Sequence, residues 1–192
     1  MLILEGVVTT LNADGTANIS PMGPRVDSAM ERFELRPFQT STTYLNLKRT
    51  GEGVLHVSDD VELFALAAIG ELDPIPKTIP AKMVSGVILE DACRWYAFRV
   101  RDLEDRDERT SISCQVVDQG RLRDFFGFNR AKHAVIEAAI LATRVDFLPL
   151  EQIHGDFERL RVIVEKTAGD QEQRAFARLE QFVRRAAGES GE

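Results

Sequence analysis

Four hydroxyl side chains in succession, Thr40, Ser41, Thr42 and Thr43, follow Arg36 and lead into a short segment of helical pattern. Hydroxyls donate to and accept from oxyanions, and an arginine guanidinium pairs with them by charge. A helix start adds unpaired backbone N–H groups and the positive end of the helix dipole. Thr43 is placed to be the N-cap of a helix over Tyr44–Arg49, with Gly51 and Gly53 as stop signals. The group therefore has the parts of a phosphate seat. It equally has the parts of a turn that only caps a helix, because Ser and Thr are preferred at that position in general. Local chemistry leaves both readings open.

No nucleophile–base pair stands out elsewhere. His56, His133 and His154 are scattered, and Glu137 and Asp146 have no ligand-like spacing with a histidine, so metal catalysis is not expected. His56 lies in a strand pattern, where it either faces a pocket or is a satisfied strand histidine. His133 stands among charged neighbours on a helical segment and reads as exposed. Arg130 and Lys132 follow Asn129 at a second helix start, where cations oppose the dipole. A bound anion, such as a cofactor phosphate from a partner chain, would remove that conflict; so would salt bridges to nearby acids. Cys93 and Cys114 form no CxxC, which argues against a disulfide framework or a structural zinc site. Cys114 alternates with Ile112 and Val116 and reads as a buried thiol, in keeping with a reducing, cytoplasmic location.

The elements that must position these residues are mostly short strands. Residues 2–11 read as one strand, Asn12-Ala13-Asp14-Gly15 as a turn, and Thr16–Met22 as the returning strand. Pro21 cannot donate to a ladder, so this strand end belongs at an edge or rim. That leaves backbone groups for a ligand, or simply ends the strand. Glu31–Leu35, the segment around Val54–Val57, residues 83–89, Arg94–Arg101 and Ser111–Asp118 are further strands. Ser58-Asp59-Asp60 caps a helix over Val61–Ile69 with a stripe of Val61, Phe64, Ala65 and Ala68. Residues 70–82 hold three prolines and form an irregular excursion, a lid over a pocket or a wrap around a partner.

After Phe128 the pattern becomes helical. A helix runs from Asn129 to about Val145, a second carries Phe157, Leu160, Ile163 and Val164, and a third Phe176, Leu179, Val183 and Ala186. The expected class is mostly β with α: a small antiparallel barrel over residues 1–128, with short helices, and a helical extension over 129–192. Disorder is expected from Gly188 to Glu192.

Composition agrees with a folded core. Of 192 residues 44% are hydrophobic, enough for one domain with an appendage. The net charge of −7 argues against broad binding to nucleic acid or anionic membrane. No apolar run approaches the roughly 20 residues a membrane span needs. The start, MLILEGVVTTL, lacks a basic n-region and reads as a strand rather than a signal peptide.

Two stretches carry a family resemblance. Thr43-x-x-Asn46-Leu-x-x-Thr50-Gly51-Glu52-Gly53-Val54-Leu55-His56-Val57 resembles the T-x-x-N-I-x-x-T-G-E-F-V-V-N pattern of the flavin reductase-like FMN-binding split barrels. Asn18-Ile19-Ser20-Pro21-Met22-Gly23 is similar to that family's N-I-A-P-F-S strand. The resemblance implies a split β-barrel, usually a homodimer, with FMN near the interface. Thr43 and Asn46 match its phosphate-side motif, with Ser41 and Thr42 as adjacent hydroxyls. Asn18, Ser20, Pro21, Met22 and Gly23 match the strand beside the isoalloxazine. Arg36 joins them on physical grounds, as a charge partner for the phosphate. His56 departs from the family's Asn, and Met22-Gly23 from Phe-Ser. The expected function is FMN-dependent oxidoreduction of an unassigned substrate, with NADH or NADPH as a possible electron donor. The alternatives are a non-catalytic module for flavin or another phosphorylated ligand, and an assembly protein that uses the C-terminal helices.

Overall fold

The computed structural model describes residues 2–188; positions 189–192 of the expected disordered tail lie outside the described residues. The chain divides into two compact units, Met1–Ser58 with Pro76–Phe125, and Asp59–Ile75 with Phe126–Glu192.

The first unit holds β1 (Leu2–Ile3), β2 (Gly6–Leu11), β3 (Ala17–Met22), β4 (Arg25–Val26), β5 (Arg32–Leu35), α1 (Thr42–Thr50) and β6 (Glu52–Val57). Beyond α2 (Val61–Ala68), which belongs to the second unit, come β7 (Thr78–Pro80), β8 (Val87–Leu89), β9 (Arg94–Glu104) and β10 (Ser111–Arg121). Eight strands form one antiparallel sheet in the order β1-β4-β5-β10-β9-β6-β2-β3. Val26 of β4 and Val8 of β2 stand far apart in that order, yet they share one buried cluster with Phe33, Leu35, Leu55, Tyr96, Phe98 and Ile112. Only a sheet curled into a half-barrel brings them together. Tyr44 and Leu47 of α1 enter the same cluster. The expected class, a mostly β split barrel with helices, is the one found.

Several boundaries differ from the sequence reading. The strand expected over 2–11 is two strands. Leu4 N–H donates to the Pro24 carbonyl at 3.0 Å, and β1 pairs with β4 while β2 pairs with β3 and β6. Gly51 ends α1 in the left-handed region at φ 66, as expected of a stop signal. Gly53 instead lies inside β6, where a Cβ would stand 2.7 Å from the Phe98 ring and 3.0 Å from the Thr9 carbonyl oxygen. Its role is close packing rather than termination. The prolines of the 70–82 excursion do not prevent a strand: β7 pairs with β8, and only Val87–Leu89 of the expected 83–89 strand is extended. Val84 and Ile88 of this hairpin pack on Val54 and Ala97, so it covers part of the sheet's outward face. β9 and β10 run longer than expected, with register shifts at Ser113/Cys114 and Val116/Asp118 that bend the ribbon.

The second unit is helical: α2, α3 (Arg130–Ala142), α4 (Leu150–Thr167) and α5 (Asp170–Ala186). Its core joins Val61 and Ala65 of α2 to the small residues Ala131, Ala134, Ala138 and Ala142 of α3. Ile153 and Phe157 of α4 and Phe176, Leu179 and Val183 of α5 complete it. The 1–128 barrel expectation included α2, but its apolar stripe is buried among the C-terminal helices. Sequence continuity placed α2 with the strands, whereas burial of its apolar face places it with other helices. Among the described residues no helix is long and apolar enough to cross a membrane.

Candidate functional site

The helix start that the hydroxyls mark is real, but its cap is Ser41, not Thr43. Ser41 has extended backbone at φ −77, ψ 144, and its hydroxyl accepts from Tyr44 N–H at 3.2 Å. Its carbonyl accepts from Leu45 N–H at 3.1 Å, and its own N–H donates to the Phe38 carbonyl at 3.0 Å. The turn over Phe38–Ser41 starts the helix two residues earlier than the spacing suggested. Among the described residues the N–H groups of Thr42 and Thr43 then make no hydrogen bond, and the first turn carries no acidic side chain. Lys48 and Arg49 stand in the last turn, where they complement the dipole.

Thr43 and Asn46 face inward and are 1% and 5% exposed. Thr43 is bonded to Asn18 of β3 directly, and Asn46 reaches Asn18 through a residue the sequence reading missed, Thr10 of β2. Asn18 Nδ2 donates to Thr43 Oγ1 at 3.0 Å and to Thr10 Oγ1 at 3.1 Å. Asn46 Nδ2 donates to Thr10 Oγ1 at 3.0 Å and to Asn12 Oδ1 at 2.9 Å. Arg49 closes the network with bonds to Asn46 Oδ1 and the Leu11 carbonyl. A buried hydroxyl at the turn end of β2 gives little signal in a sequence, since threonine is an ordinary strand residue. These bonds hold the start of α1 against the β2–β3 hairpin.

The hydroxyls left on the outside are those of Thr40 and Thr42, both exposed, with Ser41 half-buried. Arg36 is half-buried, its carbonyl accepts from Arg109 Nε at 3.3 Å, and its side chain forms no ion pair among the described residues. β3 is the outer strand of the sheet, as Pro21 implied, and all six of its residues are half-buried. Pro21 stands opposite Val7 and Met22 opposite Gly6, and Gly23 follows as an exposed residue. The structure thus brings Asn18, Ser41, Thr42, Thr43 and Asn46 to one place beside an open strand edge. Ser20, Pro21 and Met22 lie farther along that edge.

The other candidates are settled by their partners. His56 is fully buried; its Nε2 accepts from Leu89 N–H at 3.1 Å, which leaves the proton on Nδ1 to donate to the Val7 carbonyl at 3.1 Å. Burial pushes its pKa down to about 4 against the opposing Val7 bond. It is a satisfied strand histidine that ties the β7–β8 hairpin to β2. Lys132 donates to the Asp59 carbonyl at 2.7 Å and pairs with Glu172 at 2.8 Å. The Lys132 charge at the second helix start is therefore met by Glu172 of α5. Cys114 is a buried thiol whose pKa burial raises. A groove of about 720 Å³ on the face of β5, β9 and β10 is lined by Arg32, Glu34, Asp102, Ser111 and Ser113. It contains none of the expected site residues, and Glu34 there is bonded to Arg25 and Ser111.

Over 96% of its length the chain resembles the FMN-bound protein MM1853 from Methanosarcina mazei, a DUF447 protein, with 95% of that chain covered, 22% identity and a TM-score of 0.80. It also resembles the 2-nitrobenzoate 2-nitroreductase NbaA of Pseudomonas fluorescens over 63% of its length and 66% of that chain, with 14% identity and a TM-score of 0.53. A flavoredoxin from Methanosarcina acetivorans matches over 62% of this chain and 68% of the other, with 9% identity and a TM-score of 0.53. At these identities the likeness establishes the fold, that of the flavin reductase-like split barrels. No curated protein matched the chain. Residues 4–123 match the N-terminal domain of a protein of unknown function, DUF447, and residues 129–181 match the second DUF447 segment. The chain belongs to the DUF447 family.

Proposed function

We propose that this protein binds FMN and uses it for oxidoreduction of a substrate still to be assigned. The observation that carries the reading is the open first turn of α1, with two unbonded N–H groups and the Ser41 and Thr42 hydroxyls. That donor set suits a phosphate dianion, and Arg36 nearby adds charge. The FMN-bound M. mazei protein, which has the same fold over nearly the whole chain, supports the assignment. Bound FMN would supply hydride and electron transfer at its N5.

The residues of this chain would bind and orient. Ser41, Thr42 and the N–H of Thr43 hold the phosphate. Asn46, through Thr10, and the Thr43 hydroxyl, through Asn18, fix the seat from behind. Asn18, Ser20, Pro21, Met22 and Gly23 lie along the flavin ring, where Pro21 cannot compete as a backbone donor. A second copy of the chain meets this same open edge in a homodimer, and NADH or NADPH delivers the electrons.

The test is an absorbance spectrum of the purified protein before and after FMN addition and desalting, followed by anaerobic NADH or NADPH. Retained flavin that is bleached by a pyridine nucleotide supports the oxidoreductase. Retained flavin that neither nucleotide reduces supports a carrier, a reading favoured by one feature: His56, which stands where the family pattern has Asn, is locked in the sheet by the Val7 carbonyl and the Leu89 N–H. No retention and no binding on titration removes the flavin assignment.

A further inference from the structure

The turn between β9 and β10, residues 105–110, is bonded all along the segment that leads into α1. Thr110 donates to the Pro37 carbonyl from both its N–H, at 3.0 Å, and its hydroxyl, at 2.8 Å. Gln39 N–H donates to the Glu108 carbonyl at 3.0 Å, and its side-chain amide donates to the carbonyls of Asp105 and Asp107 at 2.8 and 2.7 Å. The Arg109 guanidinium lies 5.0 Å over the Phe38 ring. On the helix itself, Asp105 Oδ2 accepts from the Tyr44 hydroxyl at 2.7 Å and from Lys48 Nζ at 2.9 Å, and Lys48 also donates to the Tyr44 oxygen at 3.0 Å.

Tyr44 directly follows the two residues with open N–H groups, and its own N–H is the one that Ser41 caps. The phenol is therefore a lever on the first turn. Its ring is buried in the barrel core, and its hydroxyl is fixed by a carboxylate from a turn distant in sequence. The Lys48–Asp105 pair is partly solvated, with side chains 58% and 33% exposed, and pairs of that kind add little to global stability. Through Tyr44 the cluster ties the first turn of α1 to the 105–110 turn, and through Lys48 its last turn. Hydrogen bonds to an oxyanion require donors held to about 0.5 Å.

We propose that the 105–110 turn is the positioning device of the α1 seat, with Asp105 acting through Tyr44 and Lys48 so that the site selects phosphorylated over unphosphorylated flavin. The proposal rests on the FMN reading and adds what sets its specificity. Asp105 and Tyr44 are positioning residues, since neither touches the ligand in this scheme.

The experiment measures dissociation constants for FMN and riboflavin, by flavin fluorescence, on the full chain and on Asp105→Ala, Tyr44→Phe and Gln39→Ala. Wild type is expected to prefer FMN. Asp105→Ala is expected to lose about tenfold toward FMN, on the order of one charge-assisted hydrogen bond, with riboflavin affinity unchanged. Tyr44→Phe should lose less in the same direction, and Asp105→Glu should recover part of the preference. Gln39→Ala frees the same turn without touching the buried phenol, so it tests the idea even if another variant fails to fold. An unchanged FMN-to-riboflavin ratio in Asp105→Ala and Gln39→Ala overturns the proposal, as does an equal loss for both ligands. A wild type that binds both equally also overturns it, by removing the phosphate seat itself; a wild type that binds neither removes the FMN reading with it.

Discussion

Two helix starts in this chain carry groups suited to an anion, and they end differently. At α3, Asn129 caps the helix through Lys132 N–H at 3.1 Å, and the Lys132 ammonium is enclosed by Glu172, Gln171 and the Asp59 carbonyl. At α1, Ser41 caps the helix, and as at α3 the first turn carries no acid and the two N–H groups after the cap have no partner among the described residues; what α1 lacks is an enclosed cation–carboxylate pair at its start, its cations Lys48 and Arg49 standing in the last turn. The difference teaches that a helix terminus is available to a ligand only where the fold has not already supplied its counter-charge. At α3 a cation that would repel the dipole has been neutralised from α5. At α1 the nearest carboxylate cluster, around Asp105, faces Tyr44 and Lys48 instead.

The strongest way to break that comparison is to open the closed start. Lys132 and Glu172 have side chains only 14% and 8% exposed, and removing one partner of a buried pair leaves an uncompensated charge. Glu172→Ala should destabilise the helical unit by about 3 kcal/mol in a urea titration. A loss near zero would mean that the α3 start does not depend on its internal acid.

Acid should separate the two units almost as strongly. The folded value of His56, about 4, lies below the ordinary 6.5 because the ring is buried. As pH falls the unfolded chain takes up that proton first. The barrel's stability is then whole above about pH 6.5, declines through the interval and levels off near pH 4. The expected loss is about 3 kcal/mol. For Glu172, burial pushes the pKa up, but the Lys132 bond and the Gly169 N–H outweigh it and hold the carboxyl below its ordinary 4.5. Its contribution is present above that value and is lost only at more acid pH. Thermal melts from pH 7 to about pH 2, with His56→Gln as the control that flattens the decline between pH 6.5 and 4, check the order of the two losses.

A smaller effect sharpens the open side. Ser41→Ala removes the cap of α1 and should cost about 1 kcal/mol of stability. With Thr43→Ala added, FMN affinity should fall by more than tenfold, since the Asn18 amide also loses one of its two acceptors. Unchanged affinity in that double variant would remove the phosphate assignment. The smallest effect belongs to Thr42→Ala, an exposed position where stability should shift by less than about 0.5 kcal/mol. Only the flavin titration should register it.

Much of the β pattern was legible because it is local. The Asn12–Gly15 turn closes as its composition implies, with Gly15 at φ 85 and Asn12 N–H bonded to the Thr16 carbonyl at 2.8 Å. Asn129 caps its helix and Pro21 lies on an outer strand, each for reasons contained in a few residues. Ser41 was missed as the cap, and Thr43 expected in its place, because four neighbouring hydroxyls compete for the position and only the Phe38–Ser41 turn decides between them. The split of the first strand at Leu4–Glu5 was missed because two residues of β1 pair with a strand as short as themselves.

By itself, the sequence determined the alternation of strands, the helical second segment, and the two stretches, Asn18–Gly23 and Thr43–Val57, that resemble one family. The tertiary structure decided which of those groups are spent and which are open. Thr10 draws Asn18, Thr43 and Asn46 into one buried network, and His56 is consumed by a hairpin 33 positions away. Asp105 reaches α1 across a separation of 57 residues, and α2 leaves the strands for the helices. Such partners meet only when apolar burial curls the sheet and stacks the helices, and no local pattern encodes which distant donor will meet which acceptor.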